Sequence, residues 1–216
     1  MVKTNRVLRF FFFLAFLASV SLNLFFYRQR QSENIVTEVV DGDTFQLKSG
    51  QRVRLMGVDA PEYDRCGGQE AKERLRQLIQ GKQVKLSEVI PEAYGRSLAL
   101  VFVGKTLVNK IIMEEGWGRA DYRKNSHRDE LTAAFHSAQT KKLGIFSDLC
   151  REEFKTPSGN CLIKGNIDKN SYEKFYHLPN CSHYDQIVIE KDIGEGYFCS
   201  EGEAIANGFK KAAGCP

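Results

Sequence analysis

The chain begins with an almost unbroken apolar run from Phe10 to Tyr27, in which the only polar residues are two serines and one asparagine. Basic residues flank the run on both sides: Lys3, Arg6, Arg9, Arg28 and Arg30. A run of this length is typical of a membrane-spanning helix, and a basic start before it is also typical of a secretory signal. The pattern predicts an uncleaved single-pass anchor, with a cleaved signal peptide as the alternative. Either one places the rest of the chain outside the cytoplasm.

After a polar linker at residues 28–33, short apolar stretches alternate with turn residues, which is the pattern of β-strands. Turns are predicted at Asp41-Gly42 and at Ser49-Gly50. The predicted strands cover residues 35–40, 44–47, 53–58, 84–90 and 97–103. Several short strands joined by tight turns are the usual start of a small barrel or sandwich.

Three segments instead place their apolar residues at helical spacing. In the first of them Ala71, Leu75 and Ile79 fall on one face, and Gly81 ends the segment as a C-cap. The predicted helices cover residues 68–79, 105–115 and 128–143. Five strands and three helices within residues 33–150 predict one compact α+β domain.

Composition limits the class of protein. The chain has 216 residues, 42% hydrophobic and 27% charged, with a net charge of +4. These values are typical of one or two globular domains and exclude a disordered chain, a collagen-like chain and a histone-like polycation. A local basic cleft remains compatible with them, because steering depends on where charge lies.

Residues 151–216 differ in character, with four of the six cysteines and few aliphatic side chains. So small a segment does not readily form an independent core without disulfides or a metal. The predicted organisation is a signal anchor or signal peptide with its linker (1–32), an α+β domain (33–150) and a small Cys/His module (151–216).

Two polar clusters carry candidate chemistry, one at residues 41–44 and one between Arg54 and Glu62. Arg54 and Asp59 face opposite sides of a flat strand, so they converge only if the chain bends near Gly57 or after Val58. Asp43 and Asp59 offer hard oxygens suited to Ca²⁺ or Mg²⁺. Taken singly, each cluster is more often a turn or a solvated ion pair.

The remaining groups suit phosphate chemistry. Arg54 carries a planar fork that can hold a phosphate, and Arg96 offers a second guanidinium at a strand entrance. Glu62 is placed to take a proton from water if it lies within hydrogen-bond reach. Two arginines and a divalent cation around one phosphorus would neutralise the charge that develops in phosphodiester attack.

Three motifs, VVDGDT (residues 39–44), RLMGVDAPE (54–62) and YGR (94–96), occur in order with fitting separations. Between about Ile35 and Ser147 the chain resembles the staphylococcal-nuclease-like (thermonuclease) family. The resemblance implies an OB-fold, a five-stranded barrel with three helices, and calcium-dependent hydrolysis of DNA or RNA phosphodiesters.

The resemblance also implies roles for single residues. Asp43, Asp59 and the backbone carbonyl of Ala60 would bind calcium, Arg54 and Arg96 would hold the phosphate, and Glu62 would activate the water. Tyr94 and Tyr122 fall where tyrosines of the family line the nucleotide pocket. A lysine and a second tyrosine of the family correspond to Ala93 and Lys124 here. His127 and His136 are interpreted as surface or packing residues.

The cysteine-rich tail has two competing explanations. His177 and Cys181 have a spacing compatible with tetrahedral zinc. The tail also resembles a small module attached to bacterial thermonucleases and, faintly, the metal-binding domain of bacterial alkylation-response proteins. That resemblance implies zinc ligands at Cys161, His177, Cys181 and Cys199, with Cys215 able to replace one of them.

Disulfides are the alternative for the tail, since an exported chain favours them. Zinc is preferred here, because a histidine has no role in a disulfide framework. Cys66 and Cys150 are candidates for one disulfide, a hypothesis that rests only on leftover pairing and export.

The leading hypothesis is a membrane-anchored or exported calcium-dependent nuclease that acts on DNA, RNA or both and carries a small zinc module. Its N-terminal apolar segment would contact the membrane. The alternative is a catalytically silent OB-fold module that binds nucleic acid or a protein. The enzyme is favoured because Asp43, Arg54, Glu62 and Arg96 are all present. A third hypothesis is that the tail docks the enzyme on a partner, and no residue supports or excludes it.

Overall fold

The computed structural model describes residues 3–92, 95–152 and 161–216, with side chains described at all of these except 3–7 and 27–32. Helix α1 (Lys3–Glu33) contains the whole apolar run and continues through the predicted polar linker. Its segment Leu8–Phe26 is long and apolar enough to cross a membrane, and none of it is buried. An anchor and a signal sequence both fit such a helix, so the choice between them stays a prediction.

Eight strands follow helix α1 in the first part of the chain: β1 (Val36–Val39), β2 (Thr44–Leu47), β3 (Arg52–Leu55), β4 (Val58–Asp59), β5 (Lys85–Pro91), β6 (Arg96–Val103), β7 (Thr106–Leu107) and β8 (Arg119–Ala120). Five of them form one sheet in the order β1-β2-β3-β6-β5, with β7 paired to β6. Strands β1, β2 and β3 are an antiparallel meander, β3 runs parallel to β6, and β6 is antiparallel to β5.

The two ends of this sheet approach each other. Ile35 forms an isolated bridge with Gln83, and the Val84 nitrogen donates to the Asn34 carbonyl at 3.0 Å. The predicted α+β class is therefore confirmed for the described residues, whereas complete closure into a barrel stays a prediction.

Helices α2 (Gly68–Ile79) and α3 (Val108–Glu114) pack on this sheet, and α4 (Arg128–Thr140) packs on α3 and on β8. Ala71, Leu75 and Ile79 are buried, as the helical spacing predicts. The second helix begins at Val108 rather than at residue 105, because Thr106 and Leu107 first pair with the end of β6.

The predicted third strand, residues 53–58, is wrong in one respect: it is two strands separated by a turn. Gly57 has a φ of +79°, which takes the chain out of the sheet, and β4 then pairs with β8. A Cβ atom at Gly57 would lie 2.8 Å from Leu131 Cδ1, so any other residue at this bend would have to displace the Leu131 side chain as well as adopt a positive φ. This is the bend that convergence of Arg54 and Asp59 requires.

The connection at Asp41-Gly42 is wider than the predicted two-residue turn. The Thr44 carbonyl accepts from the nitrogens of both Val40 and Asp41, at 2.8 and 3.2 Å. A Cβ atom at Gly42 would lie 2.6 Å from Ala71 Cβ, so glycine lets this loop pack closely on α2. The loop is thereby fixed against the helix, which matters because Asp43 is part of it.

The tail contains more regular structure than its sequence predicts. Strands β13, β10, β11 and β14 form a four-stranded sheet, and β12 pairs with β9. The elements are β9 (Arg151–Glu152), β10 (Ile163–Ile167), β11 (Lys174–His177), β12 (Ile189–Glu190), β13 (Gly196–Phe198), α5 (Glu201–Ala206) and β14 (Lys210–Lys211). A small second core joins them, formed by Ile163, Tyr176, Phe198, Ala204 and Phe209. The predicted boundary near residues 156–160 lies outside the described residues.

Disulfides link all six cysteines: Cys66–Cys150, Cys161–Cys199 and Cys181–Cys215. The predicted zinc set of Cys161, His177, Cys181 and Cys199 is therefore not supported by this structure. Each of its thiols is bonded to another sulfur, which removes the thiolates that zinc needs. The alternative for the tail, a disulfide framework, is the arrangement found.

Candidate active site

The guanidinium of Arg54 joins the two predicted metal-binding carboxylates. Its Nη2 lies 2.8 Å from Asp43 Oδ2 and 2.5 Å from Asp59 Oδ1. Asp43 comes from the β1–β2 loop, Arg54 from β3 and Asp59 from β4. The turn at Gly57 thus brings together residues that would have opposed one another along a straight strand.

Asp43 is held deep in the fold, with only 2% of its surface exposed. Its Oδ1 accepts from the Thr44 hydroxyl at 2.7 Å, and its Oδ2 accepts from the Ala60 nitrogen at 3.0 Å. Burial raises the pKa of Asp43 to about 7, and the nearby charge of Asp41 adds to this, although Arg54 and the two hydrogen bonds oppose it. Burial disfavours the ionised form of this carboxyl group, so a further cation placed beside it would stabilise that form.

The charge around Arg54 is strongly negative. Burial by itself would lower the pKa of this guanidinium, but nearby carboxylates raise it above its usual value, namely those of Asp43, Asp59, Asp41 and Glu92. Arg54 is therefore permanently charged and surrounded by more negative charge than it can neutralise.

Glu62 lies on the loop that follows β4, and its side chain is exposed. The loop is tightly wound, since the Glu62 carbonyl accepts from the Arg65 nitrogen at 2.9 Å. A Cβ atom at Gly68 would lie only 2.0 Å from the Glu62 carbonyl oxygen, so the start of α2 needs glycine there. The disulfide from Cys66 to Cys150 ties the same loop to the end of the domain.

Arg96 belongs to a second ion-pair cluster that sequence reasoning missed. Its Nη2 lies 3.0 Å from Glu92 Oε2, and Arg123 Nη1 lies 3.1 Å from Glu92 Oε1. Arg123 also pairs with Asp121 at 2.9 Å. The four-residue spacing of Glu92 and Arg96 across a turn could have indicated the first pair. Nothing local connects Glu92 with Arg123.

The predicted nucleotide-binding tyrosines are described only in part. Tyr122, next to Arg123, is 54% exposed and so is accessible for stacking. Tyr94 lies outside the described residues. His127 contacts the Phe102 ring and His136 the Phe135 ring, which agrees with their interpretation as surface or packing residues.

The donor set fits a divalent cation with oxygen ligands. Two carboxylates converge on one point, Asp43 is buried, and the positive charge now between them comes from a single arginine nitrogen. Hard cations such as Ca²⁺ take carboxylate and carbonyl oxygens of this kind. The Ala60 nitrogen binds Asp43, which places Ala60 beside this point, and its carbonyl as a ligand stays a prediction.

A second group of metal-ligating types lies in the tail, formed by His177, Cys181 and Cys215, whose ligand atoms are within 4.8 Å of one another. Because Cys181 and Cys215 are bonded to each other, His177 alone offers a ligand. Its Nε2 lies 2.9 Å from Asn166 Oδ1, which fixes the ring within the tail sheet.

The sheet with its carboxylate and arginine cluster fits the class of enzymes that cleave phosphodiester bonds. The sequence profile described as "Staphylococcal nuclease homologue" matches residues 52–148. Thermonuclease of Staphylococcus hyicus is 33% identical over 126 residues, which covers 52% of this chain and 75% of the relative. Micrococcal nuclease of Shigella flexneri is 31% identical over 127 residues, with 52% and 71% covered.

A further relative, named an uncharacterized endonuclease of Haemophilus influenzae, is 34% identical over 117 residues. This chain spans 65% of that relative's length. The chain belongs to the staphylococcal nuclease family, as its motifs predicted. Membership also confirms the predicted enzyme class, a phosphodiester-hydrolysing nuclease.

Proposed function

We propose that this chain is a calcium-dependent nuclease that hydrolyses DNA, RNA or both outside the cytoplasm. The observation that carries the proposal is the meeting of Asp43 and Asp59 at one nitrogen of Arg54, with the exposed Glu62 three residues beyond Asp59. Carboxylates for a cation, a guanidinium for a phosphate and a free carboxylate for water thus occur together, on a chain that belongs to a nuclease family.

In this proposal Asp43, Asp59 and the Ala60 carbonyl hold the calcium ion. Bound there, calcium supplies a Lewis acid that neutralises charge on the scissile phosphate. Asp43 is positioned for this role by its bonds from Thr44 and Ala60, and Asp59 by its place on β4.

The side chains around the cation perform the remaining steps. The forks of Arg54 and Arg96 bind phosphate oxygens and stabilise the extra negative charge of the transition state. Glu62 accepts or orients the proton of the attacking water, for which its exposure leaves it free. Glu92 holds both Arg96 and Arg123, and so keeps two guanidinium groups at the same edge of the site.

An extracytoplasmic location is supported by two independent features. Helix α1 carries an exposed apolar segment at the N-terminus, as an anchor or a signal requires. Three disulfides occur among the described residues, and disulfides persist in oxidising compartments. The substrate is therefore nucleic acid that the enzyme meets outside the cytoplasm.

Cleavage of single-stranded DNA and RNA by protein lacking α1 tests this proposal. The wild type, Glu62→Gln and Glu70→Gln are incubated with Ca²⁺, with Mg²⁺ and with EDTA. Glu70 is an exposed carboxylate on α2 and serves as the matched control. We expect calcium-dependent cleavage that only Glu62→Gln loses. Binding without cleavage under every condition would contradict the proposal and favour a catalytically silent module.

A further inference from the structure

The strand pair that carries Asp59 has the tail packed against it. In the pairing of β4 with β8, Asp59 lies directly opposite Arg119. β4 pairs with no other strand among the described residues, so the backbone position of Asp59 depends on β8. An interaction that restrains Arg119 on β8 therefore also restrains β4, the strand that carries Asp59.

Arg119 is fixed by a carboxylate of the tail. Its Nε and Nη2 donate to the two oxygens of Asp192 at 2.7 and 3.0 Å, a bidentate pair. Asp192 is only 1% exposed at its side chain, and Glu190 Oε2 lies 3.4 Å from the same guanidinium. The Arg119 Cζ also lies 5.6 Å from the centre of the Phe146 ring. This geometry holds the arginine with far less freedom than a surface ion pair allows.

The same tail segment also reaches the loop after Glu62. The Lys191 nitrogen donates to the Cys150 carbonyl at 2.9 Å, and Cys150 is bonded to Cys66 of that loop. A Cβ atom at Gly194 would lie 3.6 Å from the guanidinium of Arg65, a residue of the loop. Residues 189–194 thus contact both the strand pair of Asp59 and the loop of Glu62.

We propose that residues 189–194 of the tail position the catalytic edge of the nuclease domain, with Asp192 and Arg119 as positioning residues for Asp59. Neither residue touches the substrate or the cation in this proposal. They act by keeping β8 in the place where its partner strand presents Asp59 to the cation. The inference rests on the proposed calcium site.

This role differs from ordinary stabilisation in what it predicts. Removing a purely structural ion pair lowers the melting temperature and leaves the metal affinity of the folded protein unchanged. Removing a positioning residue should also weaken metal binding, by no more than the loss of about 10- to 100-fold in affinity or activity that follows removal of a partner bonded directly to a metal ligand. The effect on KM for nucleic acid should be small, because Arg54 and Arg96, the proposed phosphate-binding residues, form their ion pairs among the described residues with Asp43, Asp59 and Glu92 rather than with the tail.

The test compares Asp192→Asn with Glu115→Gln in the full chain. Glu115 forms an equally bidentate pair with Arg74, at 2.6 Å for both bonds, and joins α3 to α2. Both substitutions replace a carboxylate by its isosteric amide opposite an arginine fork. Arg119→Lys, which keeps the charge and loses the fork, is a second variant in case Asp192→Asn does not fold.

Three quantities are measured: calcium affinity by calorimetry, the calcium midpoint and kcat of DNA cleavage, and hydrogen exchange of residues 57–60 in EDTA. We expect Asp192→Asn to bind calcium about tenfold more weakly and to exchange faster at residues 57–60, with Glu115→Gln unchanged in both. Equal calcium affinity of Asp192→Asn and the wild type would overturn the inference.

The hydrogen-exchange arm separates this inference from the proposed function. If the wild type binds no calcium, the proposed function fails, and the exchange result decides on the positioning role by itself. If residues 57–60 then exchange faster in Asp192→Asn and not in Glu115→Gln, the result supports a role of the tail in positioning β4. If their exchange is unchanged in Asp192→Asn, the tail has no such role.

Discussion

The buried carboxyl of Glu195 gives the tail a stability that depends on pH. Its two oxygens accept from the nitrogens of Ile167 and Glu190, both at 2.8 Å, and the side chain belongs to a residue that is 7% exposed. Burial raises the pKa of Glu195 from 4.5 to about 7, and the charge of Glu190 adds to this, while the hydrogen bonds and Lys169 oppose it. Because Glu195 binds the nitrogen of Glu190, it shapes the segment that holds Arg119.

The sign and size of the effect follow from linkage. The folded-state pKa lies above that of the unfolded chain, so the contribution is fully present below about pH 4.5 and is lost as the pH rises through 7. A difference of between two and three pKa units corresponds to about 3 kcal/mol in the free energy of unfolding. We therefore expect the protein to lose about 3 kcal/mol from Glu195 between pH 4.5 and pH 8.

Urea unfolding in EDTA at several pH values, for the wild type and Glu195→Gln, measures this loss. The amide cannot ionise, so the variant should lack this share of the pH dependence. At low pH the variant should also be less stable than the wild type. The amide NH₂ group of Gln would face one of the backbone N–H groups, of Ile167 or Glu190, that donate to Glu195, and two donors cannot bond to each other. Asp43, whose pKa is also about 7, contributes equally to the pH dependence of unfolding in both proteins. The difference between the two proteins in how the free energy of unfolding changes with pH is therefore due to Glu195. Parallel pH profiles for the two proteins would refute the reasoning.

Two further predictions concern the site and the cysteines. Arg54→Lys should lower kcat about 100-fold, because a point charge cannot replace the fork that stabilises the transition state. Arg52→Lys, at an exposed position on the same strand, should leave the steady-state cleavage rate unaltered. An equal loss of kcat in both variants would show that Arg54 has no special role in the site. Thiol titration of the denatured full chain should find no free thiols before reduction and six after it. Free thiols together with bound zinc would restore the zinc explanation of the tail.

Much of the site could be predicted because its chemistry is concentrated in two short segments. Asp43, Arg54, Asp59 and Glu62 lie within twenty residues of one another along the chain, and the glycine at position 57 marks the bend that brings Arg54 and Asp59 together. Sequence patterns report local geometry of this kind well, because turns and strand periods depend on neighbouring residues.

The contacts that could not be predicted join distant parts of the chain. The pair of Arg119 and Asp192 is separated by 73 residues, and that of Glu92 and Arg123 by 31 residues. Side chains such as these look like ordinary surface charges in a sequence, since nothing near them shows which distant charge each one pairs with. The zinc prediction for the tail is unsupported for a related reason: it rested on the nearness of His177 to Cys181 in the sequence, whereas the folded tail bonds Cys161 to Cys199 and Cys181 to Cys215.

If a calcium ion held by Asp43 and Asp59 activates phosphodiester cleavage, the cleavage rate must depend on calcium and on both carboxylates. The calcium dependence of the cleavage rate, compared between the wild type and Asp43→Asn, tests this most directly. Asn keeps the size of the side chain and removes the charge that the cation needs. We expect the cleavage rate of the wild type to rise saturably with calcium and that of Asp43→Asn not to rise. A wild-type rate in EDTA equal to that in saturating calcium, or the same calcium titration in both proteins, would contradict this expectation.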